Sequence, residues 1–263
     1  MHYIPTIEPA AVRLDSLRQL KSFYRAAKKR TWTVEGLGWN ELPPVPGMED
    51  ERFRLIWASV VKQQLQADLI AVEASSQLLI SVPEHEAKMY YSTMVQDEGK
   101  HVEGWSQLVD SLDEVDAHNP YLQELGEMIL DPGLEIEQKV VGFQVVFEGA
   151  VIPAFKDISD AARKTVLGEM SRRLIRDDSI HHHSGVAYAE YLFSKAPASL
   201  KKDISKTAEQ YLPLYLESIT WRPPARRWLD RFMKERDRAS IQSNKMFIAH
   251  ALSRLDIPVP FDI

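Results

Sequence analysis

The chain contains no cysteine. That absence excludes disulfides, thiolate zinc sites, iron–sulfur clusters and cysteine nucleophiles together. Glycine is scarce, with 11 among 263 residues, while Ala, Leu, Glu, Lys, Gln, Arg and Met are abundant, so the chain favours helix. No apolar run reaches 18 residues, and no membrane-spanning helix is expected. The opening stretch MHYIPTIEPAAVRLDSL lacks the apolar core of a secretory signal, and the reading is a cytoplasmic protein. Neither sign of charge dominates strongly: 32 basic against 38 acidic residues leave a net −6 with no basic stripe, which argues against nucleic acid as a partner.

What is present is a repeat of chemistry. Asp97-Glu98-Gly99-Lys100-His101 and Asp177-Asp178-Ser179-Ile180-His181 each place an acid three residues before a histidine. On a helix that spacing sets carboxylate and imidazole side by side on one face. A lone glutamate in an apolar run precedes each copy, Glu73 before the first and Glu148 before the second. The order acid, acid-x-x-His, acid, acid-x-x-His is the ligand set of a carboxylate-bridged two-metal site inside a four-helix bundle.

The coarse layout supports it. Apolar spacing predicts helices over about 13–31, 51–81, 84–113, 121–130, 134–157, 160–194, 200–220 and 224–254. The segments 1–12 and 257–263 read as irregular or extended, and Pro43, Pro44 and Pro46 mark a loop. Long helices joined by short turns can pair antiparallel and bring all four acids to one level. No linker is long enough to split the chain, so one domain over 1–263 is expected, with its metal-binding core at about 50–195.

Glu148 is embedded in VVGFQVVFEGAVI, a run apolar enough to be buried on most sides. A bare carboxylate there would cost several kcal/mol, on the order of the usual buried-charge penalty, and a bound dication removes that cost. Glu73 makes the same case more weakly. Oxygen donors mixed with imidazoles suit iron or manganese. The expected ligands are Glu73, Glu98, His101, Glu148, Asp178 and His181, with Glu98 and either Asp178 or Glu148 bridging. Asp97 and Asp177 are placed to accept the outward N–H of a metal-bound imidazole, that of the opposite motif across the site. Gln144 lies one turn before Glu148 on the metal-facing side and could donate to a ligand carboxylate or to a substrate. His182 is a packed or supporting histidine or an alternative to His181. Pro153 should disturb its helix, and a π-bulge and a plain kink both fit. Met94, Trp105, Phe143, Phe147 and Ile152 are candidates for an apolar substrate wall, with plain core packing the commoner role for Trp105.

At these residues the chain resembles the ferritin-like superfamily. The nearest branch holds the ribonucleotide reductase small subunit, the acyl-carrier-protein desaturases and the bacterial multicomponent monooxygenases. The resemblance covers about 50–195. It implies an all-α fold: a ferritin-like four-helix bundle core with additional N- and C-terminal helices. It also implies two iron ions, or one manganese and one iron, with dioxygen as co-substrate. Three departures stand out. The second motif begins with Asp178 where Glu is usual. Trp105 stands where reductase small subunits carry a radical tyrosine, which disfavours a reductase role. The chain is also shorter than most of these relatives. The expectation is an oxidoreductase that hydroxylates, N-oxygenates or desaturates a small organic substrate. Its partner would be an electron donor such as a ferredoxin or reductase, and a homodimer is left open. The rival expectation is a ferroxidase or iron-handling protein with no organic substrate. A third is a metal-free helical scaffold.

Overall fold

The computed structural model describes residues 15–112, 114–223 and 230–259. The described residues are overwhelmingly helical and contain no strand. In chain order they form α1 (Asp15–Arg30), a short 3-10 turn (Val34–Leu37), α2 (Glu51–Ser81), α3 (His85–Asp110) and α4 (Pro120–Leu130). There follow the short α5 (Ile136–Lys139), a π-helical segment (Val140–Phe147), α6 (Glu148–Ala161), α7 (Val166–Lys195), α8 (Ala198–Thr220) and α9 (Asp230–Arg254). The expected irregular segment 1–12, residues 224–229 of the expected last helix and the tail beyond 259 lie outside the described residues.

Local chemistry sets the helix starts. The Asp50 carboxylate accepts the Arg52 backbone N–H and opens α2. Asn119 caps α4, whose first residue is Pro120, with its side-chain oxygen accepting from Tyr121 and Leu122. Thr165 accepts from the Gly168 N–H at 3.2 Å, so α7 begins at 166 rather than at the expected 160. Residues 162–165 turn the chain between α6 and α7.

The bundle core is two antiparallel pairs. α2 packs along α3, and α6 with the π-helical segment packs along α7. α1 lies across α3 and α7, α8 covers the π-helical segment and α4, and α9 covers α6. A single buried apolar cluster reaches from Leu17 to Ile257 and includes residues of every long helix. Burial of that surface is the main stabilising term. Among the described residues, no helix is long and apolar enough to cross a membrane.

The disturbance expected at Pro153 is not the one observed: the irregular stretch of this helix is the π-helical segment that precedes Glu148. The Glu148 N–H donates to Phe143 O, five residues back. Pro153 lies inside α6, which continues through it to Ala161.

Candidate metal centre

Each long helix of the bundle core contributes to one buried cluster. α3 carries Glu98 and His101 on one face, and α7 carries Asp178 and His181 in the same relation. α6 begins with Glu148, and α2 brings Asp68. All six are buried. They form two groups that share Glu98: Asp68, Glu98 and His101 in one, and Glu98, Glu148, Asp178 and His181 in the other. Within each group, one donor atom per residue lies within 4.8 Å of the others.

The sequence expectation named Glu73 where Asp68 now stands. Glu73 is exposed and takes no part in the cluster. The reason is helical phase. Buried positions of α2 include Val61, Asp68, Ala71, Ser75 and Leu78. That spacing of seven, three, four and three residues is one helix face. Glu73 belongs to the outward face with Leu69 and Ile80. Thirty residues separate Asp68 from Glu98, and thirty separate Glu148 from Asp178. This equal spacing is the signal by which Asp68 could have been found.

The imidazoles point their Nδ1 atoms inward. Nδ1 of His101 lies 3.2 Å from Glu98 Oε2, 3.8 Å from Asp68 Oδ2 and 3.9 Å from Asp178 Oδ1. Nδ1 of His181 lies 2.9 Å from Glu98 Oε1, 3.4 Å from Glu148 Oε2 and 3.6 Å from Asp178 Oδ1. Each Nε2 faces the acid that leads the opposite motif: His101 with Asp177 at 3.3 Å, and His181 with Asp97 at 3.5 Å. Those two acids are themselves tied down. The Trp32 indole N–H donates to Asp177 at 2.7 Å. The Lys100 ammonium sits 2.6 Å from Asp97 and 3.7 Å from Asp177, joining the two motifs.

Electrostatics leave this cluster unsatisfied by protein alone. Burial pushes the Asp68 carboxyl up to about 8, and burial with the nearby Glu98 charge pushes Glu148 up to about 7. Burial and Glu148 raise Asp178 well above the usual range. For Glu98, burial alone would raise the value, but His181 and His101 outweigh it and bring it down to about 2. Burial acts against His101 and His181 being charged, yet Glu98, Asp177 and Asp178 raise His101, and Tyr90 followed by Glu98, Asp97 and Glu148 raise His181, both well above the ordinary value. Asp177 is held down to about 2, because the His101 bond and charge, helped by Lys100, overcome burial. Glu98 Oε1 and both His181 ring nitrogens are buried without a hydrogen-bond partner. His181 Nδ1 and Glu98 Oε1 are close in distance but not aligned as a hydrogen bond. Four acids and two imidazoles whose free lone pairs converge are what a pair of borderline-hard cations requires. The donor set fits such a pair.

The remaining sequence candidates fall in different places. Gln144 is buried, but its amide donates to His181 O at 3.1 Å rather than to a ligand carboxylate, and its oxygen accepts from Tyr91 Oη at 2.5 Å. Met94 Sδ also lies 3.5 Å from the Gln144 amide. The Trp105 N–H donates to Asp68 Oδ2 at 2.6 Å, and its ring stacks on Phe155 at 5.9 Å. Phe147 is buried against Phe143 and Tyr215, while Ile152 is only partly buried. His182 is buried beside Phe247 and faces Gln144 O at 3.3 Å, and burial lowers its value to about 4. The sequence assigns no role to Trp32 or Lys100, while Tyr91, seven residues before Glu98, reads there as a packing or pocket residue and is found on the Gln144 amide oxygen. Trp32 lies 145 residues from its acceptor Asp177, with no local pattern to announce the contact.

No family model matches the sequence, and no curated protein matches it. Solved structures do. The fold is similar to dimanganese(II)-NrdF of Streptococcus sanguinis, at 14% identity over 98% of this chain and 94% of that one, with a TM-score of 0.66. It is similar to the ribonucleotide reductase Rnr4 homodimer of Saccharomyces cerevisiae, at 14% identity over 94% and 83% of the two chains, with a TM-score of 0.70. A third similar structure is a variant of the R2-like ligand-binding oxidase with a reconstituted Mn/Fe cofactor, at 14% identity over 90% and 91%, with a TM-score of 0.60. The chain thus has the all-α ferritin-like fold of these proteins. Inside it lies a buried carboxylate and histidine cluster able to hold metal.

Proposed function

We propose that this protein is a two-metal oxidase that uses dioxygen to oxidise a small organic substrate. The observation that carries the reading is the pair of buried ligand groups joined through Glu98. Asp68, Glu98 and His101 would hold one ion, and Glu98, Glu148, Asp178 and His181 the other. Two irons, or a manganese and an iron, would supply the redox chemistry toward dioxygen when bound. The Mn/Fe cofactor named for a structurally similar oxidase supports that choice of metals.

The chain's own residues supply the rest. Asp177 accepts the outward N–H of His101 and fixes which ring nitrogen faces inward, and Asp97 stands 3.5 Å from the outward Nε2 of His181 in the corresponding place. Met94, Trp105 and Phe147 are fully or almost fully buried and keep the surroundings of the cluster apolar. A surface cleft of about 550 Å³, lined in part by Arg30, Trp32, Arg173, Arg176 and Asp177, opens at the outer end of the Trp32–Asp177–His101 chain. That chain supports docking of a ferredoxin- or reductase-type electron donor at this face. Phe53, Leu69 and Ile80 are 51%, 50% and 77% exposed on α2, which supports a homodimer through this helix.

The test is metal content of protein loaded with iron and manganese, followed by dioxygen consumption after reduction. Two ions per chain and substrate-dependent consumption are expected. No dioxygen uptake by the reduced two-metal protein would overturn the oxidase reading. Many irons per chain would favour the storage alternative.

A further inference from the structure

Between Val140 and Phe147 the helix runs with i→i+5 bonds, ending with Glu148 N–H on Phe143 O, and from Glu148 onward it is an ordinary α-helix. A switch from i→i+5 to i→i+4 passes over one carbonyl: with Phe143 O taken by Glu148 N–H, the α pattern that follows would pair Gly149 N–H with Val145 O, and Gln144 O is the carbonyl that this change of pattern leaves over. A buried carbonyl without a donor is costly, so something else must supply one. Nδ1 of His182, from α7, lies 3.3 Å from Gln144 O. A carbonyl is only an acceptor, so Nδ1 must carry the hydrogen.

The surroundings are built for that contact. A Cβ on Gly149 would come within 2.7 Å of His182 Nδ1, so a side chain there would push the ring away. A Cβ on Gly185 would come within 2.3 Å of Gln144 Cβ, so α7 also lacks a side chain where Gln144 approaches. Phe247 of α9 backs the His182 ring at 4.9 Å. The Gln144 side chain grips the same helix through His181 O at 3.1 Å and Ser184 Oγ at 3.4 Å.

We infer that His182 is a positioning residue: its Nδ1–H holds the Gln144 carbonyl that the π-to-α switch orphans, and thereby locks the helical phase that aims Glu148 into the cluster. One residue of slip in an α-helix turns a side chain by about 100°, enough to carry Glu148 out of the cluster. The inference deepens the two-metal reading, because Glu148 belongs to only one of the two ligand groups.

The test compares His182→Leu, which keeps bulk and removes the donor, with His182→Asn, which keeps a donor and loses bulk. Amide hydrogen exchange of the metal-free protein is read at 144–151 against α2 and α3. In His182→Leu the 144–151 amides should exchange about three- to tenfold faster, the range of one lost hydrogen bond, with α2 and α3 unchanged. His182→Asn should stay near wild type. A packing role predicts the reverse order. Wild-type exchange in the Leu variant, or an Asn variant at least as disturbed as Leu, would overturn the inference. If the Leu variant does not fold, Gly149→Ala decides it: faster exchange at the same amides supports the latch, whereas helix propensity alone predicts slower exchange and that result would overturn it. Manganese(II) titration adds the second readout, with only one of two binding events weakened in His182→Leu. Absence of metal binding by wild type would overturn the metal half, and the exchange comparison would still decide the latch.

Discussion

The two halves of the cluster reach the same end by different means. In the half built on α2 and α3, an ordinary helix presents Asp68, and the Trp105 indole pins one of its oxygens at 2.6 Å. In the half built on α6 and α7, the helix must change its hydrogen-bonding pattern before Glu148, and the grip comes from Gln144 and His182. The first half is held at the carboxylate, the second at the backbone that aims the carboxylate. Loss of a side chain should therefore act directly in the first half and through helical phase in the second.

The strongest way to break the comparison is to remove what both halves share. Glu98→Ala should abolish binding of both ions, weakening each by roughly 100-fold or more, above the range for outer-shell partners. Elemental analysis after desalting checks this, and retention of two ions would show that the halves are independent. Next, Asp68→Asn should cost one ion per chain, whereas Glu73→Gln should leave the count at two. Loss of metal in the Glu73 variant would restore the position expected from sequence. Asp177→Asn should weaken metal binding about 10- to 100-fold, because His101 loses its charged acceptor. Competition against a chromogenic chelator would measure it. Trp105→Phe, the mildest, leaves a buried Asp68 oxygen without its donor and should cost about 1–3 kcal/mol of folding stability in the metal-free protein, read by urea unfolding.

Acidity separates the loaded and metal-free proteins. Asp68 and Glu148 keep their protons in the metal-free fold up to about 8 and about 7. The unfolded chain releases them near the ordinary value of about 4, so the folded state binds more protons across that window. The stability they contribute is therefore lost as pH rises through 7 and 8. Metal displaces the same protons, so apparent metal affinity should rise over that range. Thermal unfolding of metal-free protein between pH 5 and about 8.5 should show falling midpoints, and flat midpoints would contradict the assigned protonation.

Much of this was legible in residue order. Acid-x-x-His is a local pattern, and a helix turns three residues into adjacency whatever the partner helices do. The two motifs, the buried Glu148 and the long helices could therefore be read from sequence, and with them the fold class. The apolar spacing gives α2 its observed bounds, yet Glu73, the acid it singles out, lies on a different face from Asp68, which joins the cluster. Glu73 looked buried because it sits in an apolar run, but on this helix the apolar run also covers the outward face, where Leu69 and Ile80 lie exposed.

What sequence by itself determined is the chemistry available on each helix, because side-chain identity and the 3.6-residue turn act within a few residues. What only the tertiary structure decided is which face of α2 turns inward, that Trp32 reaches Asp177, and that Gln144 and His182 meet at the π-to-α switch. Those outcomes depend on the phase and level at which separate helices pack, set by the whole buried surface rather than by any one segment.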